Sequence, residues 1–192
     1  MQFSTSQASS DPVKTVGILG LSYVRRLPFA SPLQLPWFEV RKFDSPGAKV
    51  SNITQRSEWM RCMEYRPDIV LLVLGGNDIN VDTKPNEFSH KIKDLALLIE
   101  ELTGADCLIL SIEPRLQPRD ISSGQYNTTT RSVNRLLGRM LDSKSRFWGS
   151  GLQKEDLGYD GVHLSLEGNQ QLLKNLLISA KNSGGLMTCR HL

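Results

Sequence analysis

The chain has 192 residues, 39% of them hydrophobic, enough for one domain that buries a sheet between two helical layers. Its 23 basic and 20 acidic residues leave a net charge of +3, too small an excess to point by itself to nucleic acid or a membrane surface. Cys62, Cys107 and Cys189 are odd in number and lack metal-type spacing, so they read as reduced thiols of a cytosolic-type protein and not as a disulfide framework or a zinc site.

In chain order, residues 16–19 form a short apolar run that stops at Gly20, and 37–43 is a further strand candidate. Residues 68–74, Asp-Ile-Val-Leu-Leu-Val-Leu, form the most apolar strand, and 107–112 is a similar run. Such runs suit strands buried on both faces of a parallel sheet. Between them Phe88, Ile92, Leu95, Leu98, Ile99 and Leu102 recur at helical steps, with Gly104 as a C-terminal stop. Val133, Leu136, Leu137 and Met140 mark a second helix, 146–148 is a short strand, and Leu166, Leu173, Leu176, Leu177 and Ala180 mark a last helix.

This alternation predicts an α/β fold, a three-layer α/β/α sandwich around an open parallel sheet, with ligands at the carboxyl ends of the strands. One domain is expected over 14–181, with flexible tails at 1–13 and 182–192. The first ten residues lack the basic start and apolar run of a secretory leader, and no stretch is apolar for long enough to span a bilayer, so a cytoplasmic protein is expected. Asn-x-Thr triplets at Asn52 and Asn127 are too common by chance to carry weight.

Three segments sit where that architecture places a site. Gly20-Leu21-Ser22 follows the first strand, where Gly20 permits a tight turn and a serine can present its hydroxyl near a helix N-terminus. Alone, Ser22 reads rather as a helix N-cap, a position where serine is common. Gly75-Gly76-Asn77-Asp78 follows the most apolar strand; its glycines allow close backbone approach, and the Asn77 amide can donate to an oxyanion. Asp160-Gly-Val-His163 precedes the last helix, which Ser165 would cap, and two intervening residues let Asp160 accept the Nδ1 proton of His163. His90 falls on a helix near its polar side and His191 in the tail. Serine, histidine and aspartate together are the set that nucleophilic acyl transfer requires.

These segments resemble the sequence blocks of the SGNH (GDSL-like) hydrolase superfamily over roughly 16–177. Gly20-Leu21-Ser22 is similar to its Gly-Asp-Ser block, Gly75-Gly76-Asn77-Asp78 to its Gly-x-Asn-Asp block, and Asp160-Gly-Val-His163 to its Asp-x-x-His block. The resemblance implies a flavodoxin-like fold and a serine esterase, with Ser22 as nucleophile, His163 as base and Asp160 as its partner. It further implies an oxyanion hole from the N–H groups of Ser22 and Gly47 and the side chain of Asn77. Neither metal nor organic cofactor is required. The segments around Ser22, Glu113-Pro-Arg115 and Asp160-Gly-Val-His-Leu-Ser with Glu167-Gly-Asn169 most resemble esterase-like domains of animal retroelement-derived proteins. Leu21 stands where the superfamily has an aspartate, which bears on activity and not on fold.

The expected substrate is a small-molecule, lipid or carbohydrate ester, with a short acyl group such as acetyl as the default. Arg25 and Arg26 could meet an anionic head group or could lie on the surface. The rival reading is a catalytically silent module of the same fold that binds lipid, protein or nucleic acid. Its best support is the basic stripe of Arg131, Arg135 and Arg139 on one helix, which is otherwise a solvated face.

Overall fold

The structure is a computed structural model, and it describes residues 13–141 and 146–183. Of the expected tails at 1–13 and 182–192, residues 1–12 and 184–192, with Cys189 and His191, lie outside the described residues. Six strands form one sheet: β1 (Lys14–Gly20), β2 (Leu33–Gln34), β3 (Phe38–Asp44), β4 (Ile69–Val73), β5 (Asp106–Leu110) and β6 (Arg146–Trp148), in the order β2-β3-β1-β4-β5-β6. All neighbours pair in parallel except the two-residue edge strand β2, which runs antiparallel to β3. Without that edge, the order is the flavodoxin-like one, and its switch point falls between β1 and β4.

Successive residues of a strand point to opposite faces, so runs that are apolar throughout need cover on both sides. Val70, Leu72, Cys107 and Ile109 pack under α2 (Ser57–Tyr65), α3 (Pro85–Thr103) and α4 (Ser123–Met140). Ile69, Leu71, Val73, Leu108 and Leu110 pack under α1 (Ser22–Arg26) and α5 (Leu166–Ser183). Three layers therefore follow from period-two burial in the central strands.

Helix bounds differ from the expectation where polar residues carry the packing. The α4 helix begins at Ser123, well before Val133, because its first half buries Tyr126, Asn127 and Thr130, which leave no apolar rhythm. The α2 helix was not expected, since its nine residues bury only Trp59 and Cys62. The α3 helix starts at Pro85, a residue suited to a first turn, and ends at Gly104 in the left-handed region with φ 76°. The last helix continues through Ser183. Cys62 and Cys107 are buried and free, and burial pushes the Cys62 thiol up to about 12. Among the described residues, no helix is long and apolar enough to cross a membrane.

Gly20 is required by packing. A Cβ there would collide with the Val73 carbonyl oxygen and come within 2.8 Å of the Val73 Cβ. Replacing Gly20 with alanine must push β1 away from β4, and we expect a loss of about 1–3 kcal/mol. Urea denaturation should show a lower midpoint at unchanged slope; an unchanged midpoint would mean that the strand ends have room to separate.

Candidate active site

The carboxyl ends of β1 and β4 open side by side, and the three segments singled out from the sequence meet there. The Leu21 N–H donates to the Val73 carbonyl at 3.1 Å, so the chain leaves β1 still tied to β4. Leu21 then takes the N-cap position of α1 and makes no side-chain cap bond, while Ser22 is the first helical residue. The N-cap reading of Ser22 is thereby corrected: its hydroxyl is free of the helix and lies 3.1 Å from His163 Nε2. The Leu21 side chain is buried in the core.

The Asp160–His163 segment is a tight turn closed by the Leu157–Leu164 bridge and by the Gly158 N–H donating to the His163 carbonyl at 2.7 Å. Gly161 holds φ at 61°, and a Cβ there would come within 3.0 Å of the Leu116 Cβ. Its carbonyl accepts from the N–H groups of Leu116 and Gln117 at 2.7 and 3.1 Å, so the loop after β5 clamps the turn. Within the turn, Asp160 Oδ1 accepts from the backbone N–H groups of Val162 and His163 at 3.0 and 2.8 Å. Its Oδ2 lies 2.7 Å from His163 Nδ1. The backbone N–H of His163, assisted by its ring, holds the Asp160 carboxyl well below the usual carboxylate range. A carboxylate can only accept, so Nδ1 carries the ring proton and Nε2 presents its lone pair to the Ser22 hydroxyl. Tyr23 donates to the Val162 carbonyl at 2.6 Å and sets its ring edge-on to His163 at 6.1 Å, which fixes the imidazole from the α1 side. As expected, Ser165 caps α5, its Oγ accepting from the Gly168 N–H at 3.0 Å.

Two further hydrogen bonds bring the other expected residues to the same edge. The Ser45 N–H donates to the Gly20 carbonyl at 2.7 Å, which seats the turn containing Gly47, with φ 73°, beside the end of β1. Asn77 Nδ2 donates to the Ala48 carbonyl of that turn at 3.2 Å. Asn77 Oδ1 accepts from Arg115 Nη2 at 3.0 Å. The loops after β4 and before α4 enclose a cleft of about 320 Å³ lined by Asn80, Val81, Ile121 and Gln125 among others.

Sequence reasoning did not assign roles to Arg115, Tyr126, Asn127 or Glu113. Asn127 binds the Arg115 backbone on both sides, accepting from its N–H at 3.0 Å and donating to its carbonyl at 2.9 Å. That use buries the Asn127 side chain. The Asn127–Arg115 pairing has no periodic signature, and only the Glu113-Pro-Arg115 segment of the resemblance marked the region. Of the remaining charges, Arg25 pairs with Asp44 at 2.8 Å on the surface, and Arg131, Arg135 and Arg139 are exposed on α4. His90 is exposed on α3 and meets the Asn86 carbonyl at 2.9 Å. Among the described residues, no group of three His, Cys, Asp or Glu side chains could hold a metal ion.

Comparison with known proteins agrees with this geometry at the level of fold. No family model and no curated protein sequence matches the chain. Solved structures do match. Est24, a carbohydrate acetylesterase from Sinorhizobium meliloti, superposes with a TM-score of 0.66 over 89% of this chain and 99% of its own, at 17% identity. This chain shares the fold of that acetylesterase. TesA gives a TM-score of 0.64 over 88% and 99% of the two chains at 19% identity. A carbohydrate esterase family 3 protein from Talaromyces cellulolyticus gives 0.63 over 88% and 98% at 16% identity.

Burial pushes the Glu113 carboxyl up from 4.5 to about 7, against the hydroxyls of Ser150 and Ser111 that stabilise its charge. A raised folded-state value means that the stability contributed below pH 4.5 is lost as pH rises through about 7. Glu113→Gln keeps the shape without the charge, so its Tm should exceed that of the parent at pH 8 and converge with it near pH 4.5. Thermal melts at the two pH values check this, and a variant less stable than the parent at pH 8 would contradict it.

Proposed function

We propose that the chain is a serine esterase that hydrolyses O-acyl esters through an acyl-serine intermediate. The observation that carries this is the continuous hydrogen-bonded path from Asp160 through His163 to Ser22 at the switch point of the sheet. Ser22 Oγ attacks the ester carbonyl carbon as its proton passes to His163 Nε2, and the carbonyl oxygen becomes an oxyanion. The N–H groups of Ser22 and Gly47 and the Asn77 amide receive that charge. His163 then protonates the departing alcohol as the tetrahedral intermediate collapses to acyl-Ser22. A water, losing its proton to His163, attacks the acyl carbon, and the carboxylic acid leaves as Ser22 regains its proton. The cycle closes without a cofactor.

The carbohydrate acetylesterase Est24 and the carbohydrate esterase of the same fold support a short acyl group such as acetyl, carried by a small-molecule, carbohydrate or lipid alcohol. The Glu113-Pro-Arg115 and Glu167-Gly-Asn169 segments favour kinship with the esterase-like domains of retroelement-derived proteins. A buried leucine at position 21 is compatible with the reaction, because the proton path does not pass through that side chain.

Hydrolysis of p-nitrophenyl acetate and butyrate by the purified protein should be measurable, and Ser22→Ala and His163→Ala should each lower kcat by at least about 10³-fold. Asp160→Asn, which no longer fixes the imidazole tautomer, should cost about 10³- to 10⁴-fold. The rate should fall on acidification, because only the neutral imidazole accepts the serine proton. Equal background from the parent and Ser22→Ala would sink the esterase reading. It would turn attention to a binding module, probed by salt-dependent nucleic-acid binding and its loss on charge reversal of Arg131, Arg135 and Arg139.

A further inference from the structure

Arg115 is an unusual residue to find behind this strand edge. Its residue exposure is 9%, and no Asp or Glu carboxylate lies within 4 Å of its guanidinium among the described residues. Its Nε has no hydrogen-bond partner. Burying a cation without an ion pair and leaving one N–H unsatisfied works against stability, so packing alone does not account for it. The position is nonetheless heavily constrained. Asn127 holds the Arg115 backbone on both sides, and Ser123 Oγ donates to the Arg115 carbonyl at 2.9 Å. The guanidinium carbon sits 5.3 Å from the centroid of the Tyr126 ring. Nη2 lies so close to Gly76 that a Cβ there would approach it to 2.9 Å.

What this scaffold delivers to the site is the hydrogen bond from Nη2 to Asn77 Oδ1 at 3.0 Å, with the Tyr23 phenol also against the guanidinium. Arginine has donors only, so the amide must turn its oxygen to Arg115 and its NH₂ the other way. The Ala48 carbonyl takes one of the two Nδ2 protons. The other is left for a substrate oxygen. Without Arg115 only the 3.2 Å bond to the Ala48 carbonyl would oppose a flip of the amide, which would present an acceptor where a developing negative charge needs a donor.

Resting on the esterase reading, we propose that Arg115 is a positioning residue, which locks the orientation of the Asn77 amide and adds its positive charge behind that donor as the oxyanion forms. The effect belongs to the transition state, because a neutral ester carbonyl gains less from it than the oxyanion does. It acts through Asn77, so the two side chains must be coupled.

The test is a double-mutant cycle on p-nitrophenyl acetate with Arg115→Met, Asn77→Ala and their combination, each checked for a cooperative thermal melt. Arg115→Met should lower kcat by about 10²-fold, the size associated with one oxyanion donor, while KM changes less than about threefold. In the Asn77→Ala background the same substitution should cost no more than about threefold further. Arg115→Lys, which keeps a charge and a donor, should recover at least about tenfold of the loss. If Arg115→Met fails to fold, Arg115→Lys carries the cycle, and its own smaller loss should likewise vanish when Asn77 is alanine. An active parent with an Arg115→Met variant of unchanged kcat, or with losses that multiply in the double variant, overturns the role of Arg115 alone. A parent with no activity above Ser22→Ala overturns the esterase reading and this inference with it.

Discussion

β1 and β4 pack tightly where Gly20 faces Val73, and a glycine is the only residue whose side of the strand leaves space for the Val73 carbonyl. The Leu21 N–H then bonds that same carbonyl, so the chain departs from β1 at a fixed distance from the end of β4. Two loops that are separated by about fifty residues in sequence are thereby launched from adjacent points, one carrying Ser22 and the other Asn77. The parallel arrangement makes this possible, because every carboxyl end lies on one edge and the order reversal between β1 and β4 opens a crevice there. The third loop, with Asp160 and His163, must come to that edge from the far end of the chain. It does so because Gly161 gives its carbonyl to the loop after β5.

The strands and the site blocks were legible because both rest on local rules. Apolar runs of five residues, such as Ile69–Val73, can be satisfied only by cover on two faces, and the Asp160-to-His163 spacing is short enough for one turn to present both groups. Ser22 was the ambiguous case. As a residue type it suits an N-cap as well as a nucleophile, and the ambiguity ended only when Leu21 was found at the cap position with the Ser22 hydroxyl directed to His163. The start of α4 was illegible for a different reason. Its buried face there is made of Tyr126, Asn127 and Thr130, whose worth lies in the hydrogen bonds they reach across to other loops, and hydropathy does not register these. Arg115 shares that invisibility: in sequence it is one more arginine, and its burial follows from Gly76, Tyr126 and Asn127, each contributed by a segment other than its own.

Polar burial on this edge is unequal in sign. Glu113 is deeply buried, but its carboxyl meets only hydroxyls, with Ser111 Oγ donating to Oε1 at 3.4 Å, and burial favours its neutral form. Arg115, two residues on, keeps its charge because a guanidinium does not lose its proton at any ordinary pH. Burial therefore acts asymmetrically on the two groups: it removes negative charge from Glu113 and leaves positive charge on Arg115. The local potential behind Asn77 tends toward positive although the chain as a whole carries only a small excess of basic residues.

Leu21 fits the same electrostatic arrangement. Its side chain lines a small void together with Gly76, Glu113 and Tyr126, of which Gly76 and Tyr126 also face Arg115. An acidic residue at position 21 would bury a carboxylate beside Glu113, where it would either take up a proton or oppose the charge of its neighbour. A leucine does neither. It joins the core beneath α2, α3 and α4. The departure at position 21 leaves the proton path of Asp160, His163 and Ser22 intact, since each of its contacts lies outside the Leu21 side chain.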